Sequence, residues 1–235
     1  MIKEYKKYLR KETNKIMGFN ESNLEGQIGE EMYINYLKDK NIEFFDVRED
    51  LLCQWMDIDF IIPSNNHTKE EILKEVKHAK PDTRATRQKE IGYTVEVKLD
   101  KVTHNRFKKY NGDISEGTGN LVYELISHNM PGCLARSYAD FILYVCVDNF
   151  DSETILKKAY MINLYKWRQA MVNTGKNNTQ HIVLKPTKYV KENNELVEEN
   201  ILNILHPVKD LLTVDGAVKD LTDTFMKYFP KNINI

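Results

Sequence analysis

Apolar positions along the chain recur with two different periods, and together they predict an interleaving of helices and strands. From Asn20 or Ser22 to about Lys40, Leu24, Ile28, Met32 and Tyr36 stand four residues apart, as on one face of a helix. Glu25, three residues after Ser22, completes a capping-box pattern at its start. Residues 1–16 read as a short basic helix with Ile2, Tyr5, Tyr8 and Leu9 on one side. Short strands are predicted at Ile42–Val47 and Trp55–Ile62, the second ended by Pro63. Over Gly92–Leu99, Tyr93, Val95, Val97 and Leu99 alternate with Thr94, Glu96 and Lys98, a period of two. Asn120–Ser127 and Ala139–Val147 are apolar strands, and the second is so nearly unbroken that it belongs in the middle of a sheet. Ala159–Asn163 reads as an edge strand, Leu164 to about Val172 as a helix and His181–Val190 as a strand. After the polar stretch Lys191–Asn200, a single helix is predicted from about Val208 to Tyr228.

Residues 64–90 break this pattern. They are polar and highly charged, and they read as an exposed insertion between two strands, with a short helix near Lys69–Val76. The expected class is therefore α/β (α+β), a central mixed β-sheet flanked by helices. Residues 1–20 form a basic N-terminal helix, 21–150 a core carrying the insertion at 64–90, and 151–235 an α/β extension of the same domain. A chain of 235 residues, 41% of them hydrophobic, is long enough for its own core.

Composition narrows the function classes. Cys53, Cys133 and Cys146 form no CxxC pair, which argues against a zinc ribbon or a dithiol redox centre. Their odd number, with no signal peptide, points to a reducing, cytoplasmic interior. No apolar run approaches the roughly 20 residues that span a bilayer, so no membrane partner is expected. A net charge of -1 is bland, but the cations are clustered in residues 1–15 and 69–109. Arg84, Arg87, Lys101, Arg106, Lys108 and Lys109 are the candidates for sequence-independent phosphate contacts. The competing reading is the solvated face of a Lys-rich protein. No GxxxxGK[ST] loop, GxSxG elbow or histidine pair at metal spacing is present.

The chemistry concentrates in Met56-Asp57-Ile58-Asp59-Phe60-Ile61-Ile62 and in Val95-Glu96-Val97-Lys98. Residues two apart on a strand project to one face, so Glu96 and Lys98 stand side by side. Acid and base on an otherwise apolar strand are costly to bury without partners. A divalent cation, Mg²⁺ or Mn²⁺, held by Glu96 and a second carboxylate would compensate them. Asp59 leads into an apolar run and is the natural second carboxylate.

Asp59…Glu96-Val97-Lys98 resembles the acidic residue and ExK signature of the PD-(D/E)XK nucleases, and Gly29-Glu30-Glu31-Met32-Tyr33 resembles their first-helix motif. The resemblance covers about residues 24–147. Thr118-Gly119-Asn120, Gly132-Cys133 and Ala139-Asp140 add a likeness to phage and prophage members. It implies a restriction-endonuclease-like core and a metal-dependent endonuclease acting on DNA, with RNA still open. Glu30, Asp59, Glu96 and the Val97 backbone carbonyl would be metal ligands and Lys98 a catalytic base or charge stabiliser. A homodimer is one arrangement by which such an enzyme cuts both strands.

Two features depart from the pattern. Met56-Asp57-Ile58-Asp59 lacks the proline, whereas Pro81-Asp82 has it but sits in no strand, and the Asp59–Glu96 separation is long for a hairpin. Each candidate also has an ordinary reading: Glu96 and Lys98 an ion pair on an edge strand, Asp57 a strand-end acid, and Glu124 a solvent-facing one. Glu31 competes with Glu30, and Asp140 suits a backbone cap. A nucleic-acid binder that does not cut, or a phage protein acting on a host factor, are the alternatives to an enzyme.

Overall fold

A computed structural model of the chain describes residues 19–78, 83–102, 120–127, 130–150, 153–175, 182–190 and 196–229. The basic segment 1–16, Asp82, Arg106, Lys108 and Lys109 lie outside the described residues; Lys101 is on a described strand, its side chain outside them.

Helix α1 (Phe19–Asp39) buries Met32, Tyr33 and Leu37. It is already helical at Phe19, so Ser22 and Glu25 lie within it and do not start it. Asn41 closes it in the left-handed region at φ 51, and Ile42 N–H reaches the Leu37 carbonyl at 2.9 Å. Strand β1 (Phe45–Asp46) follows.

The strand expected over Trp55–Ile62 divides. Asp50 caps a short helix, α2 (Leu51–Trp55), its carboxylate accepting from Leu52 N–H at 2.9 Å. Cys53 and Met56, three apart, turn one side of that helix into a small core with Ile58. Strand β2 (Phe60–Pro63) then begins. The charged segment 64–90 carries the short helix expected near Lys69–Val76, as α3 (Lys69–His78), and a second one, α4 (Arg84–Glu90). It is not wholly exposed: Ile72, Leu73 and Val76 pack at helical spacing against Ile61 and Met56.

Strand β3 (Gly92–Val102) pairs antiparallel with β2 and parallel with β6 (Phe141–Phe150). Strand β7 (Glu153–Asn163) and β10 (Val218–Asp220) complete a six-stranded sheet in the order β1-β2-β3-β6-β7-β10. The edge strand expected at Ala159–Asn163 is thus longer and lies inside the sheet. A second, antiparallel sheet has the order β5-β4-β9-β8, from β4 (Asn120–Ser127), β5 (Met130–Pro131), β8 (Ile182–Val190) and β9 (Leu196–Pro207), and the short helix α5 (Cys133–Arg136) follows β5. β9 occupies part of the stretch expected to be irregular. The expected 208–228 helix is α7 (Val208–Leu212) and α8 (Thr222–Met226), separated by β10. Gly216, at φ +61, turns the chain between them.

The protein is therefore mixed α/β, a central mixed sheet flanked by helices. On one face, Met32, Tyr33 and Leu37 meet Phe60, Val95, Val97, Leu143 and Val145, with Phe225 from α8. On the other, Ile142, Tyr144 and Ile162 pack with Leu121 and Tyr123 of the second sheet and with Trp167 of α6 (Leu164–Gly175). Among the described residues no helix is long and apolar enough to cross a membrane.

Candidate active site

Val95 and Val97 point into the α1 face of the central sheet, so Glu96 and Lys98, on the alternate positions, point away from it. Strand β3 lies between β2 and β6; β2 pairs with it as far as Val95, and Glu96 and Lys98 have β6 on one side and the Asp59 approach to β2 on the other. Phe60 stands opposite Val95, so Asp59, one residue earlier, comes beside Glu96. The Asp59 backbone N–H donates to the Val95 carbonyl at 3.0 Å. Its carboxylate accepts from the Val97 N–H at 2.8 Å, just beyond the end of β2. The N–H and carbonyl of one strand residue point to the same neighbour, so the Val97 carbonyl is directed to this side as well.

The Asp59 and Glu96 carboxyls interact, and both acids are shifted upward. Burial pushes Asp59 up to about 7, Glu30 adds to the rise, and the Val97 N–H, Glu96 and Arg48 oppose it. Burial drives Glu96 well above the carboxylate range, aided by the charges of Asp59 and Asp57 and opposed by Lys98. One proton between two half-buried neighbouring acids is the state expected where both charges cannot be accommodated.

Glu30 is brought to this place by a close approach. A Cβ on Gly29 would lie 3.1 Å from Val97 Cγ1, so glycine lets α1 settle directly on β3. Glu30, the next residue, receives Arg48 Nη1 at 2.6 Å, whereas Glu31 is exposed and 3.8 Å from the same guanidinium. Arg48 also clasps Asp46 through two nitrogens, at 2.8 and 2.6 Å. Arg48 was absent from the sequence reading. The signal for it is Asp46-Val47-Arg48, an acid and a base two apart in an extended segment.

Asp57 does not share a strand face with Asp59. It lies in the turn after α2 with a left-handed backbone, φ 49, and receives Arg136 Nε and Nη2 at 3.1 and 3.2 Å. Burial raises its pKa, Arg136 and Lys98 hold it down, and Glu124 raises it again, which sets Lys98 and Glu124 nearby. Glu124 is half-buried at a β-bulge in β4; a side chain at Gly132 would meet Glu124 Cγ at 2.7 Å.

Arg87, one of the expected phosphate contacts, has another role, and Arg84 shares that role only in part. Arg87 is 6% exposed; it donates to the Gly92 carbonyl at 3.0 Å and pairs closely with the fully buried Asp140. Arg84 Nη1 lies 3.3 Å from the same carboxylate. Asp140 also accepts from Thr94 N–H at 3.0 Å, so it ties α4, β3 and the start of β6 together.

A divalent cation suits the Asp59–Glu96 pair chemically. Two hard oxygen donors from neighbouring strands carry, when both ionise, one negative charge more than the pair holds with one proton bound. The expected trio with Glu30 is not assembled: among the described residues no three His, Cys, Asp or Glu side chains are gathered to hold a metal ion. The physical reason is Arg48, which takes up the Glu30 carboxylate.

No protein-family model, curated protein or solved structure matches this chain.

Proposed function

We propose that the chain is a Mg²⁺- or Mn²⁺-dependent endonuclease that hydrolyses phosphodiester bonds in DNA, on a restriction-endonuclease-like PD-(D/E)XK core. The observation that carries this reading is the half-buried carboxyl pair of Asp59 and Glu96, set side by side across adjacent strands, with Lys98 two residues along the same strand. A central mixed sheet with α1 laid on β3 is consistent with it.

Asp59, Glu96 and the Val97 carbonyl would hold the cation, and Glu30 would add negative potential from α1. A divalent cation there supplies Lewis acidity, lowering the pKa of water and offsetting charge on the phosphate. The Val97 N–H orients Asp59 and leaves its second oxygen for binding. Lys98 places its ammonium beside the attacked phosphate and stabilises the charge that grows as water enters in line and the sugar oxygen leaves. Arg48 holds Glu30 and keeps the α1 side of the site in register.

The test is nicking of supercoiled plasmid with Mn²⁺. The wild type is expected to nick, and chelation to stop it. Glu96→Ala and Lys98→Ala should each cut the rate by about 100-fold or more, the scale for losing a charge-stabilising group, with unchanged circular dichroism. Undiminished cleavage by Lys98→Ala would overturn the assignment. The engagement of Glu30 by Arg48 favours a second reading, a DNA-binding protein that does not cut. Binding without nicking by the wild type identifies it.

A further inference from the structure

Trp55 and Tyr138 are large aromatics left in solvent, 63% and 40% exposed. Their rings lie 6.2 Å apart and 28° from parallel. They stand on a cleft of about 570 Å³ whose other lining residues include Lys77, Arg84, Arg136 and Arg168, and no acid. That volume lies within the roughly 300–1,000 Å³ of small-ligand sites.

The cleft is both built and charged. Tyr138 N–H is tied to the Met56 carbonyl at 2.9 Å, Ser137 Oγ donates to the Asp57 carbonyl at 3.1 Å, and Arg168 Nη2 donates to the Ser137 carbonyl at 2.6 Å. Arg84 and Arg87 share the single carboxylate of Asp140, which leaves an excess positive charge at the wall. Burial and the nearby Arg87 and Arg168 charges lower the Arg84 pKa, the mark of crowded cations. Arg84 Nε is buried without a hydrogen-bond partner.

From this cleft we infer the substrate form: an unpaired DNA strand, one base stacked on Trp55 and Tyr138 and its phosphates on Arg84, Arg168 and Lys77. Aromatic faces and a cationic groove are the sequence-tolerant means of holding single strands, whereas a duplex keeps its base faces covered. Arg136 lines the cleft and pairs with Asp57, whose charge acts on Glu96, so the cleft adjoins the carboxyl pair. The cleavage of such a strand rests on the endonuclease reading; its binding does not.

The experiment measures anisotropy of labelled oligo(dT) and of a duplex of equal length, in chelator, for the wild type, Trp55→Ala, Trp55→Phe and Glu96→Gln. The wild type and Glu96→Gln should bind the single strand more tightly than the duplex. Trp55→Ala should weaken single-strand binding at least fivefold, the loss of one stacked base on the order of 1 kcal/mol or more, and Trp55→Phe should restore most of it. Single-strand binding should also quench tryptophan emission. The chain has two tryptophans, and the other, Trp167, is fully buried on His206, so the quench should vanish in Trp55→Phe. Unchanged binding by Trp55→Ala, or preference for the duplex, overturns the inference. Trp55-dependent binding with no nicking in Mn²⁺ upholds it while the endonuclease reading fails. Nicking that Trp55→Ala leaves intact on single-stranded and duplex DNA alike does the reverse.

Discussion

At Asp59 and Glu96, the desolvation that would suit the pair to a cation is a liability in the metal-free protein. Below the ordinary carboxylate value near 4, the folded and unfolded chains both hold the Asp59 proton. As pH rises, the unfolded chain releases it first, while the folded chain keeps it up to about 7. Stability therefore falls across that window, since the folded state then binds more protons than the unfolded one. In chelator, the melting temperature of the wild type should drop between about pH 4 and 7 more steeply than that of Asp59→Asn, which has no proton there to lose. Parallel profiles for the two proteins would show that Asp59 is not held neutral.

At the level of elements, the site depends on three close attachments to β3. Gly29 sets α1 on Val97. Gly92, at φ +137, brings β2 so near that a Cβ would lie 2.5 Å from the Ile62 carbonyl oxygen. Arg87 pins α4 to Asp140 beneath Thr94. Arg87→Ala should cost about 3–5 kcal/mol of stability, as for removing one partner of a buried ion pair, read by urea denaturation. A phosphate-contacting surface arginine would cost almost nothing, so this measurement separates the two roles. The strand around Glu96 and Lys98 was legible in the sequence because its alternation is unbroken and its acid and base fall on one face. α1 was legible through its four-residue spacing and through Gly29-Glu30. α3 was legible as the short helix near Lys69–Val76, but α4 was not, because Arg87 buries its charge only through Asp140, more than fifty residues away, and no local pattern announces that partner. The turn at Asp57 was hidden for a related reason: Cys53 and Met56 satisfy a helical spacing inside what also reads as an extended run.

For the whole molecule, the pairing of β4 with β9 was the least legible feature. Strands eighty residues apart meet through ordinary backbone bonds, and Glu198, Glu199 and Asn200 ride on β9 with no alternation to betray it. That second sheet matters to the site, since it carries Glu124 toward Asp57 and closes the face on which Glu96 and Lys98 lie. Tyr144 joins the two sheets, donating to Asp100 at 2.7 Å and accepting from the Val122 N–H at 3.1 Å. The surroundings of the carboxyl pair are thus a product of both sheets, and the proposed chemistry requires that a cation replace the proton the pair retains. Titration of the intact protein with Mn²⁺, following free Mn²⁺ by electron paramagnetic resonance at pH 8 and pH 6, tests this most directly. Saturable binding that weakens at the lower pH and is lost in both Asp59→Asn and Glu96→Gln is the expected result. Binding that survives both substitutions, or no saturable binding by the wild type, would contradict it.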